Sequence, residues 1–296
     1  MALVIYDRDA GMCTGVKRSI DGALKTAINV GGSKEIVTYG ELIHNPVIIT
    51  KLKKRGIKIV NTLNRITLNN FVIIRAHGIP PEDENYFKEN GIEYLDLTCP
   101  IVKSIHKKIT DYKDRGYKIM IVGHPKHPET IGHMGYAGNA GFVVSNPEDL
   151  KINSKDQDTQ YRGIDSKTLI IAQTTISEKL YQEVIIESKA KEKGATVLYT
   201  ICPFVLGRQR WIDKMSRESD AAIIIGGKNS SNTRRLYELA KSNCETYWIV
   251  RPEELPINDL KNYTQIALTA GASTADETIQ EVLHNLKQRG FQITEG

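Results

Sequence analysis

Short apolar runs alternate with longer amphipathic stretches along almost the whole chain. "LVIY", "EIVTYG", "FVIIRA", "EYLDL", "KIMIVG", "GFVVS", "TLIIAQ", "TVLYT", "AAIIIGG", "TYWIV" and "QIALTA" are rich in Val, Ile and Tyr, which predicts strands. Between many of them lie helix-length segments such as "VKRSIDGALKTAINVG", "IVKSIHKKITDYKDRG", "SEKLYQEVIIESKAKEKG" and "WIDKMSRESD", several ending in glycine as helices do. Strand alternating with helix predicts α/β units with largely parallel sheets.

The alternation repeats at a longer scale. "GMCTGV", "LTCPIV" and "TICPFV" share the pattern Cys-x-x-Val, once in each third of the sequence. After each comes a helix, an apolar strand ending in glycine, and a polar turn: "YGELIHNP", "VGHPKHPE" and "IGGKNSSN". Four residues past Gly40, Gly123 and Gly226 stand His44, His127 and Ser230. A further strand then ends in a second polar turn, at His77, Thr174 and Ser273. In parallel α/β units such turns lie at the carboxyl edge of the sheet, where ligands bind. Three similar units facing one another would gather three thiols and six polar turns around one cavity.

Length and composition agree with this division. A chain of 296 residues exceeds a single core and implies domains of about 100–150 residues. The expected domains are residues 14–98, 99–200 and 201–285, with residues 1–13 and 286–296 packing as terminal segments. The formal charge of +5 is small and dispersed, which argues against a nucleic-acid surface. No apolar run approaches the roughly 18 residues of a membrane span, so a cytoplasmic protein with reduced thiols and no membrane partner is expected.

The cysteines carry the first candidate chemistry. Cys13, Cys99 and Cys202 form no CxxC pair, which weakens a zinc-ribbon reading. A strand-to-helix junction favours thiolate, the metal-binding form. Three thiolates without a fourth suit a metal with an open position, either catalytic zinc or a 4Fe-4S cluster with one free iron. Any one cysteine alone is more often a core residue, and Cys244, outside the repeat, is read that way.

The polar turns supply His44, Asn45, His77, His127, Thr174, Thr175, Ser230, Ser231, Asn232 and Ser273, many just ahead of helix starts. Outward-pointing N–H groups there make an anion site, and phosphate is its commonest occupant. No Walker sequence occurs, which disfavours nucleotide hydrolysis. Taken singly, each turn is an ordinary N-cap or surface histidine. Glu129 is the acid at the position where the other thirds carry Pro46 and Asn232, and it is a candidate proton donor if nearby negative charge raises its pKa. The competing reading is that it caps the following helix.

The motifs "CTGVKRSI", "GELIHNP", "RAHGI", "DLTCPIV", "GHPKHPET", "QTTIS", "TIC", "RQ", "GGKNSSNT" and "TAGAST" resemble those of the 4-hydroxy-3-methylbut-2-enyl diphosphate reductase (LytB-type) family of the non-mevalonate isoprenoid pathway, from Cys13 to about Asp276. The resemblance implies a pseudo-threefold trefoil of three α/β domains around a 4Fe-4S cluster, with Cys13, Cys99 and Cys202 as ligands and one open iron. It implies that His44, His77, Ser230, Asn232 and Ser273 bind the substrate diphosphate, with Ser231 and His127 lining the pocket. Glu129 becomes the proton source, and Thr174 meets the hydroxyl side of the substrate. The implied reaction is reductive loss of that hydroxyl as water, giving isopentenyl or dimethylallyl diphosphate. Electrons would come from a ferredoxin or flavodoxin, since no Rossmann fingerprint follows a strand. The chain departs from the family after its third cysteine, where Phe204 and Val205 replace the usual Ala-Thr ahead of Arg208 and Gln209. A 4Fe-4S hydro-lyase and a non-catalytic phosphate-binding or zinc-stabilised module are the other classes compatible with the same residues.

Overall fold

Every apolar run named above forms a strand. In chain order the elements are β1 (Leu3–Tyr6), α1 (Thr14–Asn29), β2 (Glu35–Tyr39), α2 (Pro46–Lys54), β3 (Lys58–Val60), β4 (Asn70–Ile74), α3 (Pro81–Glu89), β5 (Tyr94–Asp96), α4 (Pro100–Asp114), β6 (Lys118–Val122), α5 (Pro128–Ala137), β7 (Gly141–Val144), α6 (Asp149–Ile152), β8 (Thr168–Ala172), α7 (Glu178–Glu187), β9 (Thr196–Val197), α8 (Pro203–Arg217), β10 (Ala221–Ile225), α9 (Ser231–Lys241), β11 (Glu245–Ile249), α10 (Ile257–Leu260), β12 (Gln265–Ala270), α11 (Asp276–Gln288) and β13 (Gln292–Glu295). This computed structural model describes residues 2–30, 32–152 and 163–296. Five of the helices, α2, α3, α4, α5 and α8, open on proline. Proline suits that position because its missing N–H would have no intrahelical acceptor there.

The chain divides into two compact units. The first comprises Met1–Lys17, Ile43–Lys51 and Pro203–Gly296. It holds one parallel sheet of order β11-β10-β12-β1-β13. Successive strand residues point to opposite faces, and both faces here are covered. Ala221, Ile223 and Ile225 of β10 join Leu268, Val282 and Leu286 in one cluster. Ala222 and Ile224 join Ile212, Leu236 and Ala240 in another. Two-sided burial is why β10 reads as an unbroken apolar run rather than an alternating one. The terminal segments, expected to pack onto a domain, contribute β1 and β13 to this sheet in parallel register.

The second unit comprises Arg18–Leu42 and Leu52–Cys202. It holds two four-stranded parallel sheets, of order β3-β2-β4-β5 and β7-β6-β8-β9. Helix α4 presents Ile105 and Ile109 to Ile119, Ile121, Leu169 and Ile171 of the second sheet. Each such aliphatic side chain stabilises the fold by about 1.5–3 kcal/mol relative to exposure. Helix α5 approaches the start of α3 so closely that a Cβ on Gly135 would stand 2.6 Å from Pro80 Cβ.

Four strands of the five-stranded sheet, β11-β10-β12-β1, repeat the order of the other two sheets. Matching hydrogen bonds recur within each repeat. The glycines that end β2, β6 and β10 each donate to the last residue of the adjacent edge strand: Gly40 N to Val60 O (2.8 Å), Gly123 N to Val144 O (3.0 Å) and Gly226 N to Ile249 O (2.9 Å). The cysteines do likewise at the second turn: Cys13 N to Ala272 O (3.2 Å), Cys99 N to Ala76 O (3.0 Å) and Cys202 N to Thr174 O (2.9 Å). This bond makes Ala76, Thr174 and Ala272 equivalent. Thr175, not Thr174, is therefore the structural counterpart of His77 and Ser273.

Candidate active site

In the first unit, neighbouring strands β10, β12 and β1 all release their chains at one sheet edge. The connection from β10 runs outward to β11 while that from β12 runs towards β13, so the strand order reverses there, the usual place for a ligand crevice in open α/β sheets. Ser230 caps α9, its hydroxyl accepting from Thr233 N (3.3 Å). Ser231 opens the helix half-buried, and Asn232 follows it, 4% exposed. Both amide atoms of Asn232, Nδ2 and Oδ1, lack any hydrogen-bond partner. Buried polar atoms are nearly always satisfied, so this amide departs from the usual pattern.

Thr233 brings that helix start against the Ser273 turn. A Cβ on Gly271 would stand only 2.1 Å from Thr233 Oγ1, and one on Gly226, whose φ is +151°, 2.6 Å. The Ser273 hydroxyl donates to His44 O (3.4 Å), and Asn45 Nδ2 donates to Ser273 O (2.7 Å). Asn45 Oδ1 also accepts from Val47 N (2.9 Å) and Ile48 N (3.3 Å). The cap of α2 is thus Asn45, so the first polar turn is one residue longer than its counterparts and His44 stands one place before the cap. Asn45 was visible in the sequence only as one more polar residue; its strut role needs the fold.

In the second unit the predicted residues form a chain of contacts. His77 follows β4 and meets His127 edge to face, 5.6 Å between ring centroids. His127 caps α5, its Nδ1 accepting from Glu129 N (3.2 Å), which leaves the ring proton on Nε2. Glu129 is 2% exposed and bonded twice to Thr174: Oε1 accepts the backbone N–H and Oε2 the hydroxyl, both at 2.6 Å. Gln173 fixes the turn, accepting from His124 N (3.0 Å) and the Thr130 hydroxyl (3.2 Å) and donating to the Thr175 hydroxyl (2.7 Å).

The charge state of Glu129 differs from expectation. Burial pushes its carboxyl up, but the imidazoles of His133 and His127 and the Thr174 hydroxyl outweigh burial and hold it at about 2. The neighbours the protein supplies are imidazoles rather than anions, so the shift is downward.

Cys13, Cys99 and Cys202 are half-buried, each one residue ahead of a helix. Three such thiols at equivalent junctions match the donor chemistry of a soft, thiolate-bound iron–sulfur group. Cys244 differs. It packs beside Ile212 and Ala240, and burial pushes its thiol up. The two residues that depart from the family pattern separate in space. Val205 is 3% exposed in the core, whereas Phe204 is 48% exposed and lines a groove of about 590 Å³ with Cys13, Met12, Arg8 and Trp211. Phe204 thus bears on the surroundings of the Cys13 thiol.

Repeated parallel α/β sheets, each followed at its carboxyl edge by a cysteine and polar turns, define the class: an α/β protein of three like sheets. The model of the family described as LytB protein matches residues 4–287, and the chain belongs to that family. Relatives named 4-hydroxy-3-methylbut-2-enyl diphosphate reductase include those of Alkaliphilus oremlandii, 38% identical with 97% of this chain and 99% of the relative covered, and of Aquifex aeolicus, 37% identical with 100% and 98% covered. A solved structure of (E)-4-hydroxy-3-methyl-but-2-enyl diphosphate reductase, the terminal enzyme of the non-mevalonate pathway, is 35% identical with a TM-score of 0.68, covering 97% of this chain and 100% of that one. The reductase of Plasmodium falciparum, 24% identical, shares the fold with a TM-score of 0.89 over 100% of this chain and 92% of that one. Among the described residues no helix is long and apolar enough to cross a membrane.

Proposed function

We infer that the chain is an oxidoreductase that converts 4-hydroxy-3-methylbut-2-enyl diphosphate to isopentenyl and dimethylallyl diphosphate, consuming two electrons and two protons and releasing water. The orphaned amide of Asn232, buried at the start of α9, carries the reading for this chain. An amide there, on a helix N-terminus that favours negative charge, is suited to a diphosphate. Ser230, Ser231, Ser273, His44, His77 and His127 would complete that site. The names of its relatives supply the substrate.

Cys13, Cys99 and Cys202 would hold a 4Fe-4S cluster with one iron open. When bound, the cluster stores electrons from a ferredoxin or flavodoxin and offers a Lewis-acidic iron to the leaving oxygen. The protein's own part is positioning and proton supply. The turns fix the diphosphate, Thr174 stands beside the hydroxyl end, and Glu129 gives the proton that turns the departing hydroxyl into water. A cytoplasmic location suits reduced thiols.

Anaerobic purification with iron and sulfide analysis tests the cluster. Cys13→Ser, Cys99→Ser and Cys202→Ser should each lose iron, and Cys244→Ser should keep it; iron retained in all four sinks the ligand assignment. Reduced protein should consume the allylic diphosphate, and dehydration of a hydroxy acid without net reduction would favour a hydro-lyase instead. Glu129→Gln should bind substrate and turn over poorly.

A further inference from the structure

Thr174 is not the only neighbour of the Glu129 carboxylate. One turn along α5, on the same helix face, His133 places Nε2 3.3 Å from Glu129 Oε1. Its side chain is fully buried. Neither ring nitrogen has a partner in hydrogen-bond geometry, so the carboxylate contact is close but bent. A second imidazole backs the first. His106 of α4 is 5% exposed, meets His133 edge to face at 5.1 Å, and stacks on Tyr136 at 4.1 Å. The backbone makes room for it: Gly78 has φ +74°, and a Cβ there would stand 2.8 Å from His106 Cε1.

On the reading that Glu129 is the proton donor, we propose that His133 stores and returns its proton, the two side chains sharing one proton across the Nε2···Oε1 gap. The transfer breaks the Nε2–H bond and forms Oε1–H. Imidazolium becomes imidazole, carboxylate becomes carboxylic acid, and no electron moves. Glu129 then passes the proton to the departing hydroxyl oxygen, and the pair is reloaded, ultimately from water, in each cycle. His133 acts only through Glu129 and is a positioning residue.

The electrostatics support this. Glu129 is held down against its own burial, so its resting form is the carboxylate. Burial, and then His133, press His106 down to about 3, with Glu129 and Asp96 opposing and Lys103 adding to the shift. His106 therefore stays neutral at ordinary pH and leaves the proton to the pair. The ionisable groups around the pair are His127 and Tyr136 of the α5 segment, His106 and Lys103 of α4, and Asp96 of β5.

The test compares cluster-loaded wild type, His133→Gln and Glu129→Gln with excess reduced donor across pH. His133→Gln keeps an amide beside Oε1 but cannot carry the proton. Its kcat should fall about tenfold or more, as for a lost proton-transfer partner, with KM and iron content unchanged. Its rate should also recover as pH falls and water reloads the carboxylate directly. A His133→Gln enzyme with wild-type kcat and pH profile overturns the proposal, even if its melting temperature drops. Near-normal turnover of Glu129→Gln instead overturns the donor assignment on which the proposal rests. If the His133 variant fails to fold, ¹⁵N NMR of the oxidised wild-type holoenzyme decides. Both His133 nitrogens protonated at neutral pH support the shared proton, and a singly protonated ring refutes it.

Discussion

Replacing Asn232 with leucine should make the protein more stable and worse at binding its substrate. The side chain is 4% exposed and both of its polar atoms are unpartnered. A buried unsatisfied polar group costs about 1–3 kcal/mol, and leucine keeps the branching while removing that cost. At about 2–4 °C per kcal/mol for domains somewhat smaller than this chain, the substrate-free melting temperature should rise by several degrees. The same change deletes the donor Nδ2. A hydrogen bond to a charged group contributes about 1.5–3 kcal/mol, so the dissociation constant for the diphosphate should rise roughly 10- to 150-fold. Calorimetry of wild type and Asn232→Leu at matched iron content measures the first quantity, and isothermal titration with the diphosphate measures the second. A variant that melts lower and binds as tightly as wild type would refute the reasoning, because the amide would then be satisfied without substrate.

The remaining predictions concern packing and charge. Gly271→Ala puts a Cβ 2.1 Å from Thr233 Oγ1, and overpacking of this kind costs about 1–3 kcal/mol; adding Thr233→Ala should restore most of the lost melting temperature. The Glu129 carboxyl is held below its unfolded value of 4.5, at about 2, so its contribution is present above pH 4.5 and lost as pH falls towards 2. The stability gap between wild type and Glu129→Gln in urea titrations should therefore narrow across that window. Phe204→Ala should change unfolding free energy by no more than about 0.5 kcal/mol because the ring is exposed. Val205→Ala removes two buried carbons and should cost about 1.5–2 kcal/mol.

Period and punctuation made most of the fold legible. The long β10 and β12 runs announced themselves because both faces are buried. The strands missed, β3 and β13, are short edge strands with half-exposed or exposed residues, and a strand that faces solvent leaves little apolar signal. The threefold spacing from cysteine to glycine found the turns, but fixed offsets failed where a loop length changes. One extra residue moves the α2 cap to Asn45, and the Cys202–Thr174 hydrogen bond shifts the pairing with His77 by one. His133 and His106 were within reach. They sit on the buried faces of their helices, His133 four residues from Glu129 and His106 next to Ile105, but an imidazole among apolar positions gives no period that separates a working group from a core one.

The repeat also explains how one scaffold divides its chemistry. The second residue of the helix after each first turn is Val47, Glu129 or Asn232, in α2, α5 and α9. Each follows a side-chain cap that accepts a backbone N–H of the first turn, Asn45 from Val47 and Ile48, His127 from Glu129 and Ser230 from Thr233, so the helix start is held by a cap in all three copies. With the main chain fixed by capping, the side chain there is free to vary without endangering the helix start. One copy has kept a half-buried aliphatic group, one an acid buried against imidazoles, and one an unsatisfied amide. The equivalence of the three positions therefore argues against reading Glu129 as a mere helix cap: His127 already does that, and Glu129 directs its carboxylate to Thr174 and His133 instead.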